Sequence, residues 1–485
     1  MSRMSSLLPH GWARSQRIVA CQDAAEDGEV AVLRLAVSAR TPGWAVAEAQ
    51  RQTGIHLLRD VADDELDALL AVTYAEGSDA AALVGAAESE VDLERLMQDI
   101  PAVTDLLDAK DDAPVIRMIN ALLTQAAREG ASDVHFEVFE TESVVRYRVD
   151  GTLRDVVSPR KALHAALISR IKIMSELDIA EKRIPQDGRI TLRVGGRPID
   201  VRVSTVPTVH GERAVLRLLE KDAGRLQLKK LGLAPDTLEA LTRLIRQPHG
   251  IVLVTGPTGS GKTTTLYAAI GQLDRSTSNI LTVEDPVEYD LSGINQIPVH
   301  SKIGMTFGAA LRAALRQDPD NIMIGEIRDL ETAQIAVQSS LTGHGVLASL
   351  HTNDAISAVT RLTDMGIEPF LLSSSLLGVL AQRLVRCLCP KCKRAEPQPD
   401  GSTRYEPVGC PHCNQSGYKG RTGIHELFVI DDEVRGIIHA GGDEQAMRVA
   451  ARKHGMRSMR EDGQRWITAG ITTQEEILRV TRDEG

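Results

Sequence analysis

Apolar residues along this chain follow two different rhythms. Between residues 131 and 220 they alternate with polar ones. "SDVHFEVFE", "SVVRYRVDG", "GRITLRVGGRPIDVRVSTV" and "ERAVLRLLE" each put every second side chain on one face, which predicts half-buried strands joined as hairpins. Further on the runs are short and apolar throughout: "GIVLVT", "NILTVE", "NIMIGE" and "GVLASL". Runs of that kind predict parallel strands covered on both faces. "DDAPVIRMINALLTQAAREG" has helical spacing, with Pro114 early and Gly130 at its end, and "TLYAAIGQL" reads as a helix directly after the first apolar run. Near the amino end, "VAVLRLAVS" predicts a strand, "WAVAEAQRQTG" a helix closed by Gly54, and "DDELDALLAVTYA" a helix that begins in acids.

These elements predict an α/β chain in several parts, since 485 residues exceed one core. A small α/β unit spans 1–75 and an acidic, Ala-rich linker 76–106. An α+β domain follows over 107–225 and a parallel α/β domain over 226–386. A cysteine-bearing insert occupies 387–420, and a helical part, 421–485, closes the chain.

Charge and composition narrow the function. Net charge is −10, yet Asp60 to Asp112 hold sixteen acidic residues against two basic, so the rest of the chain is slightly positive. Aromatic content of 3% and the lack of a Lys/Arg-rich tract argue against a nucleic-acid platform. No charged-then-apolar leader and no apolar run near 18 residues is found, so a cytoplasmic protein that meets membrane only through partners is expected. Five of the six cysteines lie between Cys387 and Cys413, which points to metal rather than disulfides.

The chemistry starts at "GPTGSGKTT", Gly256, Pro257, Thr258, Gly259, Ser260, Gly261, Lys262, Thr263 and Thr264, between a predicted strand and a predicted helix. Glycines let backbone N–H groups turn inward onto phosphate oxygens, the helix N-terminus adds its dipole, Lys262 reaches the β- and γ-phosphates, and the Thr263 hydroxyl ligates Mg²⁺. The motif predicts ATP or GTP binding. Glu284 and Asp285 end the second apolar run, where carboxylates face a ligand at the carboxyl ends of parallel strands; a helix-capping turn before Pro286 is the competing explanation. After the third run comes Gly325, expected to leave room near the phosphates, and then Glu326, the best candidate to polarise water or support Mg²⁺. A solvated pair with Arg328 is its competitor. His344 and His351 flank the fourth run; one of them, His351 by preference, is expected to sense the γ-phosphate. Arg312 and Arg316 sit four apart, on one helical face, and Arg189, Arg202, Arg213 and Arg217 lie on or beside the alternating strands. An always-charged planar fork suits phosphoryl charge.

Cys389 and Cys392, then Cys410 and Cys413, form C-x₂-C-x₁₇-C-x₂-C. That spacing predicts a closed four-thiolate Zn²⁺ site with a structural role. Cys21 and Cys387 are left unassigned.

Together, "GPTGSGKTTTLYA", "TVEDPVE", "RQDPDNIMIGEIRD", "TGHGVLASLHTNDA" and "LCPKCK…CPHCNQSGYKGRTGIHE" resemble the type II/type IV secretion ATPase superfamily, specifically the type II secretion ATPases (the E proteins), over nearly the whole chain. The resemblance implies a RecA-like P-loop NTPase domain preceded by a PAS-like α+β domain. It implies a homo-hexamer that turns ATP cleavage into motion for pseudopilus assembly at the cytoplasmic face of the inner membrane. It makes Glu326 the main catalytic acid with Glu284 supporting, and makes Arg202, Arg217, Arg312 and Arg316 residues that complete the site, some across a subunit boundary. Its implied partners are platform proteins, the GspL cytoplasmic domain (docked by the N-terminal unit) and GspF. A type IV pilus assembly motor is the alternative within the superfamily. A nucleic-acid translocase and a non-catalytic scaffold are the alternatives outside it.

Overall fold

A computed structural model gives the fold over residues 8, 13, 16–22, 33–63, 65, 66, 69, 113–194, 197–220, 227–399 and 403–481. The acidic linker expected at 76–106 and most of the second N-terminal helix expected, "DDELDALLAVTYA", lie outside the described residues. The chain divides into two units, Met1–Glu220 and Lys221–Gly485.

The first unit holds two sheets. The smaller joins β1 (Ile18–Gln22), β2 (Leu33–Val37) and β3 (Leu58–Asp60), with α1 (Gly43–Thr53) ending at Gly54 in the left-handed conformation. The larger is antiparallel throughout, in the order β6 (Thr152–Val157), β5 (Ser143–Val149), β4 (Ala131–Val138), β9 (Gly211–Glu220), β8 (Arg197–Thr208), β7 (Gln186–Val194). Its alternating pattern folds as expected: Val134, Phe136, Val145, Tyr147, Val201, Val203 and Leu216 turn inward. They meet Met118, Ile119 and Leu122 of α2 (Ala113–Arg128) and Leu167, Ile168 and Ile171 of α3 (Lys161–Met174). Each such aliphatic side chain contributes roughly 1.5–3 kcal/mol. No element was expected over α3, because two polar residues interrupt its apolar stripe. Both are buried with partners: Lys172 pairs with Glu212, and His164 lies 2.8 Å from Ser143 Oγ and 2.7 Å from the Glu212 carbonyl.

The second unit is built on a seven-stranded sheet in the order β12 (Asn295–Pro298), β11 (Ile280–Glu284), β13 (Asn321–Ile324), β14 (Gly345–Leu350), β10 (Gly250–Thr255), β15 (Leu376–Leu388), β18 (Tyr418–Val429). All its pairs are parallel except β15 with β18. The continuous apolar runs are explained by burial on both faces. Ile251 and Leu253 face the helices α6 (Phe307–Ala314), α7 (Leu330–Leu341), α8 (Ser357–Asp364) and α9 (Pro369–Ser375). Val252 and Val254 face α4 (Pro235–Ile245) and α5 (Lys262–Ile270). Asp329 caps α7 by accepting from the Thr332 amide, a contact worth about 1 kcal/mol. Between β15 and β18 the chain makes a short hairpin, β16 (Arg394–Pro397) with β17 (Thr403–Glu406). After β18 come α10 (Asp432–His439), α11 (Glu444–Lys453), α12 (Met459–Thr468) and α13 (Gln474–Val480).

Candidate nucleotide site and cysteine centre

The ends of β10, β11, β13 and β14 carry Thr255, Glu284, Ile324 and Leu350, so each motif of the second unit emerges at the carboxyl edge of one parallel sheet, where ligands bind in such folds. From Thr255 the chain turns through Gly256, Gly259 and Gly261, all at positive φ (145°, 79° and 89°), and enters α5 at Lys262. A Cβ on Gly256 would stand 2.5 Å from the Gln382 carbonyl and 2.6 Å from Ser260 Oγ, so only glycine fits. Ser260 is buried, and its hydroxyl has no hydrogen-bond partner among the described residues. Thr263 and Thr264 stand half-buried in the first turn of α5.

Lys262 is 9% exposed; its ammonium donates to the carbonyls of Gly256 (2.7 Å) and Pro257 (3.1 Å). Burial pushes its pKa down to about 8, against a smaller opposing pull from Glu326. His351, just past β14, bridges the two: its Nδ1 lies 3.4 Å from Lys262 Nζ and its Nε2 3.4 Å from Glu326 Oε2. Glu326 also takes a 2.5 Å contact from Arg328, so the salt bridge weighed against a functional role is present alongside the approach to His351. The fold thus gathers Lys262, His351 and Glu326. His344, by contrast, is turned to the Ser339 carbonyl and the Thr342 hydroxyl.

Glu284 is deeply buried. Tyr267 of α5 donates to its Oε2, and Thr282 (2.5 Å) and Gln296 (2.9 Å) occupy Oε1. Gly325 packs closely on the sheet: its amide donates to the Val283 carbonyl at 2.8 Å, and a Cβ would stand 3.3 Å from that carbonyl and 3.4 Å from the Glu284 backbone. Ser349 Oγ donates to the Gly325 carbonyl at 2.6 Å, tying β14 to the acid-bearing turn.

The arginines separate. Arg312 pairs with Glu331 of α7. Arg316 lies beyond the end of α6, in a 3₁₀ turn over Leu315–Gln317 that closes at Asp318 (φ 51°), and donates to the Arg312 carbonyl. The four-residue spacing therefore runs from the last turn of α6 into the 3₁₀ turn, with Arg316 held against the Arg312 backbone. In the first unit Arg189, Arg202 and Arg217 stand side by side across β7, β8 and β9, and Arg217 pairs with Asp133 at 2.9 Å. Arg213 pairs with Glu137.

Two contributors to the loop escaped the sequence reading. Gln382 of β15 donates to the Ser260 carbonyl and accepts from Thr265 Oγ1, each at 2.7 Å. Its signal was an amide, beside Arg383, inside the mostly apolar run "LLGVLAQRLV". Thr255 and Thr352 share a 2.7 Å hydroxyl contact that fixes the segment after His351 beside the loop.

At the far end of β15, Cys389, Cys392, Cys410 and Cys413 bring all four sulfurs within 4.8 Å of one another. The closest pairs are 3.7–3.9 Å apart. Four ligands about 2.3 Å from a tetrahedral zinc would stand about 3.8 Å apart, so the cluster suits that ion. Amides of Cys410 and Gly417 donate to Cys413 Sγ, both at 3.2 Å. The cysteine turn is tied to the segment before α13: Leu388 N donates to the Ile471 carbonyl and Lys393 Nζ to that of Gly470, both at 2.7 Å. Among the described residues no helix is long and apolar enough to cross a membrane.

Comparison with known proteins follows the same lines. The family described as type II/IV secretion system protein matches residues 108–479. The type II secretion system protein HxcR of Pseudomonas aeruginosa is 72% identical over 99% of this chain and 100% of its own length. The type II secretion system ATPase E of Vibrio cholerae is 57% identical over 80% of this chain and 79% of its own. Among solved structures, the pilus retraction motor PilT with bound ADP is similar at a TM-score of 0.51 and 26% identity, covering 74% of this chain and 95% of that one.

Proposed function

Because the chain belongs to the type II/IV secretion system protein family, as a type II secretion ATPase, we propose that its hydrolysis of ATP drives pseudopilus assembly and the export of folded proteins across the outer membrane. The observation that carries the reading is the meeting of Lys262, His351 and Glu326 beside a glycine-built loop at one sheet edge.

The loop residues fit a triphosphate. Positive-φ glycines turn amides inward, the buried Ser260 hydroxyl awaits a partner, and the Lys262 ammonium is held against the loop. Gly256 to Thr264 bind the phosphates, and Lys262 exchanges its loop carbonyls for phosphate oxygens. Thr263 would hold Mg²⁺, which would neutralise charge on the β- and γ-oxygens. Glu326 orients the attacking water and takes its proton. His351, in reach of both acid and lysine, reports the γ-phosphate. Glu284 supports the site at one remove: with Tyr267 on it, the carboxylate fixes α5 to the end of β11.

Further parts of the reading concern assembly. The second unit is a RecA-like core that works as a homo-hexamer, with the PAS-like domain of the first unit as its companion. Arg217 and Arg312 give up Asp133 and Glu331, and with Arg202 and Arg316 they meet phosphoryl charge, some of them across a subunit boundary. The four cysteines hold one structural Zn²⁺. The N-terminal unit docks the GspL cytoplasmic domain, with GspF in the same platform, so the protein works from the cytoplasm, peripheral to the inner membrane.

Glu326→Gln tests the assignment of roles. The purified variant is expected to keep its affinity for ATP while turnover falls by about 10²–10⁴, the usual worth of a positioned general base. Near-normal turnover would remove Glu326 from the chemistry.

A further inference from the structure

We propose that Gln382 is a positioning residue for nucleotide binding, holding one peptide of the phosphate loop in the orientation that binds the anion. Its backbone is fixed on both sides. The preceding residue, Ala381, pairs with Thr255 of β10, and Gln382 itself pairs with His425 of β18. That register sets the side chain directly under the loop. The amide Nε2 donates to the Ser260 carbonyl and Oε1 accepts from Thr265 in the first turn of α5. Gln382 is buried, and it fills the space two loop glycines leave. Its carbonyl lies 2.5 Å from where a Gly256 Cβ would be, and its Nε2 lies 3.2 Å from the corresponding point on Gly261.

The consequence follows from peptide geometry. A trans peptide is planar, with C=O and N–H pointing opposite ways. Holding the Ser260 carbonyl down onto Gln382 therefore turns the Gly261 N–H away from Gln382, into the loop, where a phosphate oxygen is bound. With glycine on one side, that peptide is easily flipped. Gln382 suppresses the flip, and Thr265 keeps the amide from rotating. The contribution is to nucleotide affinity and not to the bond-breaking step.

The inference rests on the loop being the triphosphate site. Its test uses the full chain carrying Gln382→Leu, Thr265→Val or both, read by steady-state KM and kcat for ATP and by direct titration with a fluorescent ADP analogue. Gln382→Leu is expected to raise KM and Kd about tenfold, as for a lost hydrogen bond that leaves a buried carbonyl unpaired, with kcat changed less. Thr265→Val is expected to act in the same direction more weakly, and the double variant to be no worse than Gln382→Leu. Wild-type KM and Kd in Gln382→Leu, or effects that multiply in the double variant, would overturn the proposal. Should Gln382→Leu not fold, the near-isosteric Thr265→Val decides alone, with unchanged KM and Kd as the refuting result. A wild-type chain that bound no nucleotide would instead count against the loop reading itself.

Discussion

Replacing Cys389 by Ser removes one of four sulfurs that stand 3.7–3.9 Å apart at their closest. Structural zinc binds four ligands with an apparent ~10–16 kcal/mol. Shared evenly, one thiolate is worth roughly 3 kcal/mol, a loss of about a hundredfold or more in zinc affinity. The damage should travel. The cysteine turn is what holds Leu388 N on the Ile471 carbonyl and Lys393 Nζ on that of Gly470, and Cys389 N itself donates to Gly417 at 2.9 Å. Three hydrogen bonds at about 1 kcal/mol each make local opening roughly a hundredfold more frequent. Metal analysis should therefore give one zinc per wild-type chain and markedly less for Cys389→Ser. Hydrogen exchange at the Leu388 and Cys389 amides should rise, while the β10 and β14 amides stay protected. A variant that keeps its full zinc, or loses it with no change at those two amides, would refute the account of the centre as a brace for the end of β15.

Two further outcomes are expected. Lys262, pushed down to about 8 mainly by burial, is charged at pH 7 and loses its proton as pH rises through that value. KM for ATP should accordingly climb by up to about tenfold between pH 7 and 9; a flat profile would show that the ammonium is not used. Glu476 is 1% exposed and paired with Arg386 and Arg479. Burial alone would raise its pKa, yet hydrogen bonds from Arg479 and Arg386 hold it at about 2 against an ordinary 4.5. Its contribution is therefore present above about pH 4.5 and lost as pH falls toward 2. Glu476→Gln should unfold about 3 kcal/mol more easily at pH 7 and show less acid dependence in that window by denaturant titration.

What was legible in the chain was chemistry carried by contiguous residues. The strand-loop-helix around Lys262, the two cysteine pairs and the buried strands follow from spacing and hydrophobic runs alone, because each is specified within about fifteen residues of sequence. What stayed hidden depends on partners far along the chain. α3 was invisible because Lys172 and His164 are buried against Glu212 and Ser143, residues that only the folded sheet brings near. The setting of Glu284 is made by Tyr267 and Gln296 on other elements. Gly325 also stands close to the backbone of the neighbouring strand, a contact that the apolar run ahead of it does not reveal. Gln382, more than a hundred residues from the loop it holds, has no local signal beyond its polarity.

The central claim is that the phosphate energy released at Lys262 powers protein export. Introducing Lys262→Ala into the chromosomal copy and locating the normally exported enzymes tests it most directly. The account predicts that those enzymes accumulate in the periplasm while the variant chain is present at normal level and folded. Undiminished export, with pilus-dependent motility lost instead, would contradict it.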